Sequence, residues 1–300
     1  MKKLRIFVTG SSGFIARNII EKLGTKYKFI ALTHKELDLL DSTAVNRFFK
    51  KNEYFDFVIH TAIVGGNRKI PNTSEIATNN LRMFFNVVRN QQYFGRMIHI
   101  GSGIEYGKER PLKKVRERDF DKYIPQDNFG FYKYLCGKYI ESSGSDGLIN
   151  LRLFGIFGRY EDASIRFISN AICKSILEIP ITINQNIFLD YLYIDDFIRI
   201  LDYFLSHKTR YKSYNVGTGK SIDLITSAKK INQIAVKKSK LVVAHKGLAN
   251  EYTCSNRRLM EELGDFKFTN FDISLEELYN WYLERKNELK KRDFLDDYFR

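Results

Sequence analysis

Apolar runs of strand length alternate with segments of helical period through the first half of the chain. The runs are Leu4 to Thr9, Phe29 to Thr33, Phe57 to Thr61, Met97 to Gly101 and Ile149 to Phe154. Strand-length apolar runs alternating with helices of ten or more residues predict a parallel sheet with crossover connections. Those helices fall at Phe14 to Leu23, Thr43 to Lys51, Ser74 to Gln91 and about Asn128 to Ser142, each ended by glycine, polar residues or a turn. The pattern predicts an α/β fold with a doubly wound, Rossmann-type parallel sheet mainly in residues 1–158.

After Gly158 the pattern loosens. Helices are predicted near Ile165 to Leu177, from Asp195-Asp196, over Leu224 to Val236, near Asn256 to Leu263 and over Ser274 to Lys286. Strands are predicted around Tyr191 to Ile194, at Ser213 to Val216 and at Leu241 to Ala244. These suit a smaller C-terminal substrate-binding lobe, mainly 159–300, interleaved with the last strands of the sheet. There is no internal repeat and no low-complexity linker.

Composition narrows the class. The 300 residues carry a formal charge of +14, spread along the chain, which suits solvated surface and a diphosphate ligand better than nucleic acid, since no nucleic-acid module is present. No run of eighteen apolar residues appears, and the first residues enter a strand pattern directly, so the expectation is a cytoplasmic protein without membrane contact. Cys136, Cys173 and Cys254 stand far apart, and the five histidines show no ligand spacing; no metal is expected.

Thr9-Gly10-Ser11-Ser12-Gly13-Phe14-Ile15-Ala16 follows a strand and opens a helix. In that setting the glycines allow a tight turn and close approach of backbone to a pyrophosphate, which the helix N-terminus attracts. Gly10, Ser12, Gly13, Phe14 and Ile15 are the candidate dinucleotide contacts. An acid at the end of the second strand would take the ribose hydroxyls, whereas cations accommodate a 2′-phosphate. The residues there are Thr33-His34-Lys35, with Arg17 just inside the first helix, and this favours NADP over NAD. The plainer alternative is that His34 and Lys35 are solvated and NAD binds through backbone. Asp41, after Leu40, is placed to meet an adenine amino group or simply to start a helix.

The chain resembles the extended short-chain dehydrogenase/reductase family, and within it the GDP-fucose synthase-like GDP-sugar 4-keto reductases. The likeness rests on the phosphate loop, Thr33 to Ser42, His60-Thr61-Ala62-Ile63-Val64-Gly65-Gly66, Asn80, Gly101 to Gly107, Leu189 to Asp196 and Asn215 to Gly219. It implies that a nicotinamide hydride meets a sugar carbon while a tyrosine handles the oxygen's proton, a lysine holds the nicotinamide ribose, and a serine hydrogen-bonds the sugar oxygen. By position the serine is Ser102 and the lysine Lys133. The resemblance also puts Leu40, Thr61, Ala62, Ile63, Phe154 and Ile156 against the cofactor, and Val64, Gly65, Gly103, Ile104, Gly155, Arg166 and Lys174 against the substrate. It further implies a homodimer through the helices Ser74 to Gln91 and Asn128 to Ser142.

The tyrosine is missing. The family order Tyr-Gly-x-Ser-Lys-Tyr overlays on Phe129-Gly130-Phe131-Tyr132-Lys133-Tyr134, putting Phe129 at the tyrosine position. Tyr134 and Lys138 satisfy the bare spacing, but a five-residue shift turns the pair by about 140° around the helix. A phenyl in place of the phenol keeps shape and removes the proton donor. That suits a substitution made to trap a complex, more than a natural variant using water or Tyr132, or a degenerate binding protein.

Two further departures bear on the reaction. The resemblance implies a cysteine and a histidine for epimerisation; their positions hold Ile104 and Arg166. Isoleucine moves no proton and arginine stays charged, so the expectation is NADPH-dependent reduction of a 4-keto hexose or heptose, GDP-linked by preference, without 3,5-epimerisation. The competing readings are a 4-epimerase or 4,6-dehydratase of the same fold, and an inactive nucleotide-sugar or dinucleotide-binding protein.

Overall fold

The structure, a computed structural model, describes residues 3–66 and 70–295. In the first half, the elements run β1 (Arg5–Thr9), α1 (Phe14–Leu23), β2 (Lys28–Leu32), α2 (Ser42–Lys51), β3 (Phe55–His60), α3 (Ser74–Val88), β4 (Phe94–Ser102), β5 (Leu112–Val115), α4 (Asn128–Ser142), β6 (Leu148–Leu153) and β7 (Ile156–Phe157). The second half holds α5 (Phe167–Ile176), β8 (Ile181–Asn186), β9 (Phe188–Leu189), β10 (Leu192–Tyr193), α6 (Ile194–Ser206), β11 (Ser213–Val216), β12 (Ile222–Asp223) and α7 (Leu224–Ile234). It ends with β13 (Leu241–Leu248), β14 (Tyr252–Cys254), α8 (Arg257–Leu263) and α9 (Phe271–Glu284).

Six parallel strands form the central sheet in the order β11-β6-β4-β3-β1-β2. Its middle strands are apolar because helices cover both faces: Ile6, Val8, Ile59, Ile98 and Leu151 belong to one core, and Phe7, Val58 and Met97 to the other. The chain runs from β1 outward to β2, then returns to the far side of β1 with β3. Strand order therefore reverses between β1 and β3, and the carboxyl ends there open a crevice of the kind in which ligands of open α/β sheets bind.

Local chemistry sets the helix starts around that crevice. Asp41 caps α2 by accepting from the Thr43 and Ala44 amides, and Asp127 caps α4 by accepting from Gly130. Gly13 precedes α1 without any side-chain cap, which leaves that N-terminus open to a ligand.

The second half adds small sheets. One has the order β12-β9-β14-β5; β8 pairs with β13, and β7 with β10. Here α5 is buried along its whole length. The predicted strand around Tyr191 shrinks to Leu192–Tyr193, and the third helix ends at Val88 rather than Gln91. Strands β5, β8, β9, β12 and β14 carry no period that sequence could show, because partners distant in the chain hold them; Leu112, for instance, pairs with Tyr252.

Candidate functional site

The phosphate loop is shaped by a close approach of β1 to the segment after β3. Gly10 has φ +65°, and a Cβ on it would lie 2.8 Å from the Ala62 Cα, so glycine is required on both counts. One hydroxyl fixes the approach: Thr9 Oγ1 accepts from the Thr61 and Ala62 amides, each at 3.1 Å, and lies 3.1 Å from His60 Nδ1. A hydroxyl has one hydrogen and two acceptor positions. With both acceptor positions taken, the Thr9 hydrogen goes to Nδ1, and His60 is the neutral imidazole with its hydrogen on Nε2. Burial, reinforced by the Lys133 charge, lowers the His60 pKa to about 3, which keeps the ring neutral.

This crevice fits a dinucleotide. The uncapped start of α1 and the backbone cradle at Gly10 suit a pyrophosphate, while Ser12 and Gly13 are exposed and Phe14 and Ile15 half-buried beside it. Thr61 is tied down, its hydroxyl donating to the Thr9 carbonyl at 2.5 Å. Beyond it Ile63 and Val64 are exposed apolar side chains, a surface suited to a flat ring. Asn80 holds that segment, accepting from the Val64 amide and donating to its carbonyl.

At the end of β2 the residues divide. His34 and Lys35 are exposed. Glu36, the acid beside them, folds back to accept from the amide and hydroxyl of Thr33, both at 2.8 Å. Arg17 on α1 lies 3.9 Å over the ring of Tyr160, which fixes its direction. One Asp41 oxygen is committed to the cap of α2, so a helix start is its observed role. The Leu40 carbonyl accepts from Arg82.

Ser102 ends β4. Its amide donates to Glu105 Oε1 at 2.9 Å, and its hydroxyl accepts from the Ile104 amide at 3.4 Å, so it also caps the turn that follows. Lys133, on α4, is buried, and its ammonium donates to the Ile100 carbonyl at 2.5 Å, two residues before Ser102 on the same strand. Burial pulls its pKa down to about 8. The other register is spent elsewhere: Tyr134 and Lys138 both bind Asp121.

Phe129, one turn before Lys133, packs edge-on to Tyr132 with ring centroids 5.1 Å apart. Its tip lies against Gly66, where a Cβ would come within 2.4 Å of Phe129 Cζ. Tyr132 is in the core at 2% exposure, its phenol without a partner among the described residues, so it does not open on the crevice.

The expected substrate contacts do not all reach the surface. Gly65 is backbone beside Ile76, and Gly155 abuts the Asp190 carbonyl; neither position has room for a side chain. The Phe154 ring is wholly buried, 4.9 Å from Tyr252, so only its backbone is available to a cofactor. Ile156 is half-buried in the β7–β10 pair. Arg166 is exposed ahead of α5. Lys174 requires correction as a diphosphate contact: it is 2% exposed and donates to Thr182 at 2.6 Å, which places it in the interior because α5 is covered on all sides.

Glu105, Arg152 and Tyr252 were not foreseen. Glu105, on the turn after Ser102, is fully buried and accepts from Ser102, from Asn150 at 2.9 Å and from Arg152 Nε at 2.6 Å. Gly101 and Gly137 make room for it, since a Cβ on either would stand 2.4 or 2.5 Å from its oxygens. The signal was Arg152, a lone charge in the apolar run Leu148–Leu153, which demands a buried partner. Tyr252 gave no signal; β14 brings its phenol to 3.4 Å from Ser102 Oγ.

Among the described residues no helix is long and apolar enough to cross a membrane, and no group of His, Cys, Asp and Glu is arranged for a metal. The chain is 23% identical to GDP-L-colitose synthase of Yersinia pseudotuberculosis over 95% of its own length and 99% of that protein. It is 25% identical to GDP-6-deoxy-D-talose 4-dehydrogenase of Aggregatibacter actinomycetemcomitans, over 92% and 97%. Its fold matches UDP-glucose 4-epimerase of Thermotoga maritima with a TM-score of 0.81 at 19% identity, covering 95% of this chain and 100% of that one. Residues 6–217, from β1 through the last strand of the central sheet, match the NAD dependent epimerase/dehydratase family, and the chain belongs to that family.

Proposed function

We propose that the chain reduces the 4-keto group of a nucleotide-linked hexose or heptose, GDP-linked by preference, with NADPH and without epimerisation. The observation that carries this reading is the Ser102–Lys133 arrangement. The serine hydroxyl stands at the carboxyl end of β4, and the lysine ammonium docks two residues behind it, beside a crevice built for a dinucleotide. The bound dinucleotide would supply the hydride. Ser102 would hold the ketone oxygen, and Lys133, a cation at neutral pH, would hold the nicotinamide ribose. Ile104 and Arg166 offer no group able to take and return a proton at C3 or C5.

The 2′-phosphate preference draws on His34 and Lys35, both exposed, and on the Glu36 carboxylate being engaged with Thr33. GDP linkage draws on the names of the two curated relatives. A homodimer would use α3 and the outer face of α4, where Phe131 and Tyr139 are exposed. A 4-epimerase reading has the fold match in its favour; such an enzyme would keep its dinucleotide through purification and turn over without added NADPH.

The test offers NADPH and GDP-4-keto-6-deoxymannose in D2O to the chain and to Phe129→Tyr. We expect one NADPH oxidised per ketone reduced and no deuterium at C3 or C5. If neither protein oxidises NADPH while both bind the two ligands, the reductase reading fails; deuterium at C3 or C5 would remove the restriction to reduction.

A further inference from the structure

A phenol reaches Ser102 from the second half of the chain. Tyr252 begins β14, the strand held between β5 and β9, and its oxygen lies 3.4 Å from Ser102 Oγ. Its ring rests on Phe154 at 4.9 Å. Position 103 is glycine because a Cβ there would stand 2.5 Å from the Phe154 ring and 2.6 Å from the phenol oxygen.

Either hydroxyl can donate in this contact, and the hydrogen-bond count at Ser102 leaves room for Tyr252 as the donor. The hydroxyl has one hydrogen and two acceptor positions. One position receives the Ile104 amide; with the Tyr252 hydroxyl donating to the other, the Ser102 hydrogen is left for a ligand in the crevice. The groups facing the phenol are Ser102, Cys254, Glu105 and Arg166. Burial raises its pKa, Cys254 and Glu105 act the same way, and the Ser102 hydrogen bond and the exposed Arg166 charge oppose them. The phenol is thus protonated at neutral pH, with a cation near enough to favour its anion. Phe129 has no proton to give, and its tip is packed on Gly66.

We propose that Tyr252 supplies, through Ser102, the proton that carbonyl reduction requires, so that turnover does not depend on a phenol at position 129. This rests on the reductase reading. In the step, the ketone carbon accepts a hydride, with its electron pair, from a dihydronicotinamide. The π pair of the C=O bond moves to oxygen, that oxygen takes the Ser102 hydrogen, and Ser102 takes the hydrogen of Tyr252. The sugar carbon is reduced and the dinucleotide oxidised. Tyr252 is left as a phenolate facing Arg166 until water reprotonates it. It is a positioning and relay residue, since it touches Ser102 and not the ketone.

The test compares the full chain with Tyr252→Phe, Phe129→Tyr and the double variant. It measures kcat and KM with GDP-4-keto-6-deoxymannose, NADPH affinity by fluorescence, and the infrared C=O stretch of the 13C-labelled ketone bound with NADP+. Tyr252→Phe is expected to lower kcat about 10²-fold, to leave KM and NADPH affinity within about threefold, and to raise the C=O frequency as the serine polarises the ketone less. Phe129→Tyr should rescue it in the double variant. A Tyr252→Phe protein with kcat within about threefold of the unaltered chain and an unmoved stretch overturns the relay, as does loss of NADPH binding in that variant. An inactive unaltered chain beside an active Phe129→Tyr overturns the relay and leaves the reductase reading standing. Inactivity of all four with both ligands bound overturns both.

Discussion

Thr9, His60 and His99 lie under the β1, β3 and β4 end of the crevice without a net charge among them, whereas Glu105, Asn150 and Arg152 lie under the β4 and β6 end as an ion pair. In the first cluster, burial lowers the pKa of both imidazoles, with the Lys133 charge acting in the same direction, and the two rings stack with centroids 5.6 Å apart. In the second, both Glu105 oxygens accept hydrogen bonds, and the Arg152 guanidinium also faces the Phe120 ring at 4.1 Å. Lys133 interacts electrostatically with both clusters: it disfavours protonated histidine, while Glu105 favours its own ammonium. The difference teaches that a buried polar support can hold backbone by staying neutral or by pairing opposite charges, and that the two fail under different insults.

The largest effect should come from breaking the pair. Glu105→Leu leaves the buried Arg152 with only the more exposed Glu141 carboxylate, 3.5 Å from Nη2, and should cost about 3–5 kcal/mol in urea unfolding, with Glu105→Leu/Arg152→Met recovering most of it. A double variant as unstable as the single one would show that the charge is not the cause.

Acid should attack the other cluster. Folded His60 has a pKa near 3 against an ordinary value near 6.5, so the unfolded chain binds more protons between these pH values. The stability from keeping His60 neutral is whole above about pH 6.5 and is lost as pH falls toward 3, a loss of a few kcal/mol. Unfolding free energies measured from pH 7 to pH 4 should fall less steeply in His60→Gln; parallel curves would refute the assignment.

Thr9→Val removes the hydroxyl that holds the Thr61 and Ala62 amides. It should cost about 1–3 kcal/mol and weaken NADPH binding about tenfold by loosening the wall at Gly10; unchanged affinity by fluorescence titration would detach Thr9 from the site. The smallest effect has the opposite sign. Both His99 ring nitrogens lack partners among the described residues, so His99→Leu should stabilise by about 1 kcal/mol at pH 7. A loss of stability in the same unfolding measurement would mean that the imidazole is satisfied in solution.

The central strands and the first four helices were legible in the sequence because short connections and continuous apolar runs define them locally. The glycine loop was legible too, since Gly10 and Gly13 sit between a strand and a helix. Register was harder: Tyr134 and Lys138 have the right spacing, and only their turn toward Asp121 removes them from the crevice. Lys174 misled because a lysine in sequence looks solvated, whereas α5 is covered all round and Thr182 receives the ammonium.

By itself the sequence determined the sheet and the phosphate loop, both properties of local pattern, while Ser102, Lys133 and Phe129 were singled out by the resemblance to a family. The tertiary structure alone decided what surrounds Ser102. Glu105 meets Arg152 across 47 positions and Tyr252 reaches Ser102 across 150, and contacts so distant along the chain leave no period or spacing to read. They depend on which strands pair, and on glycines at 101, 103 and 137 that let a carboxylate and a phenol come close.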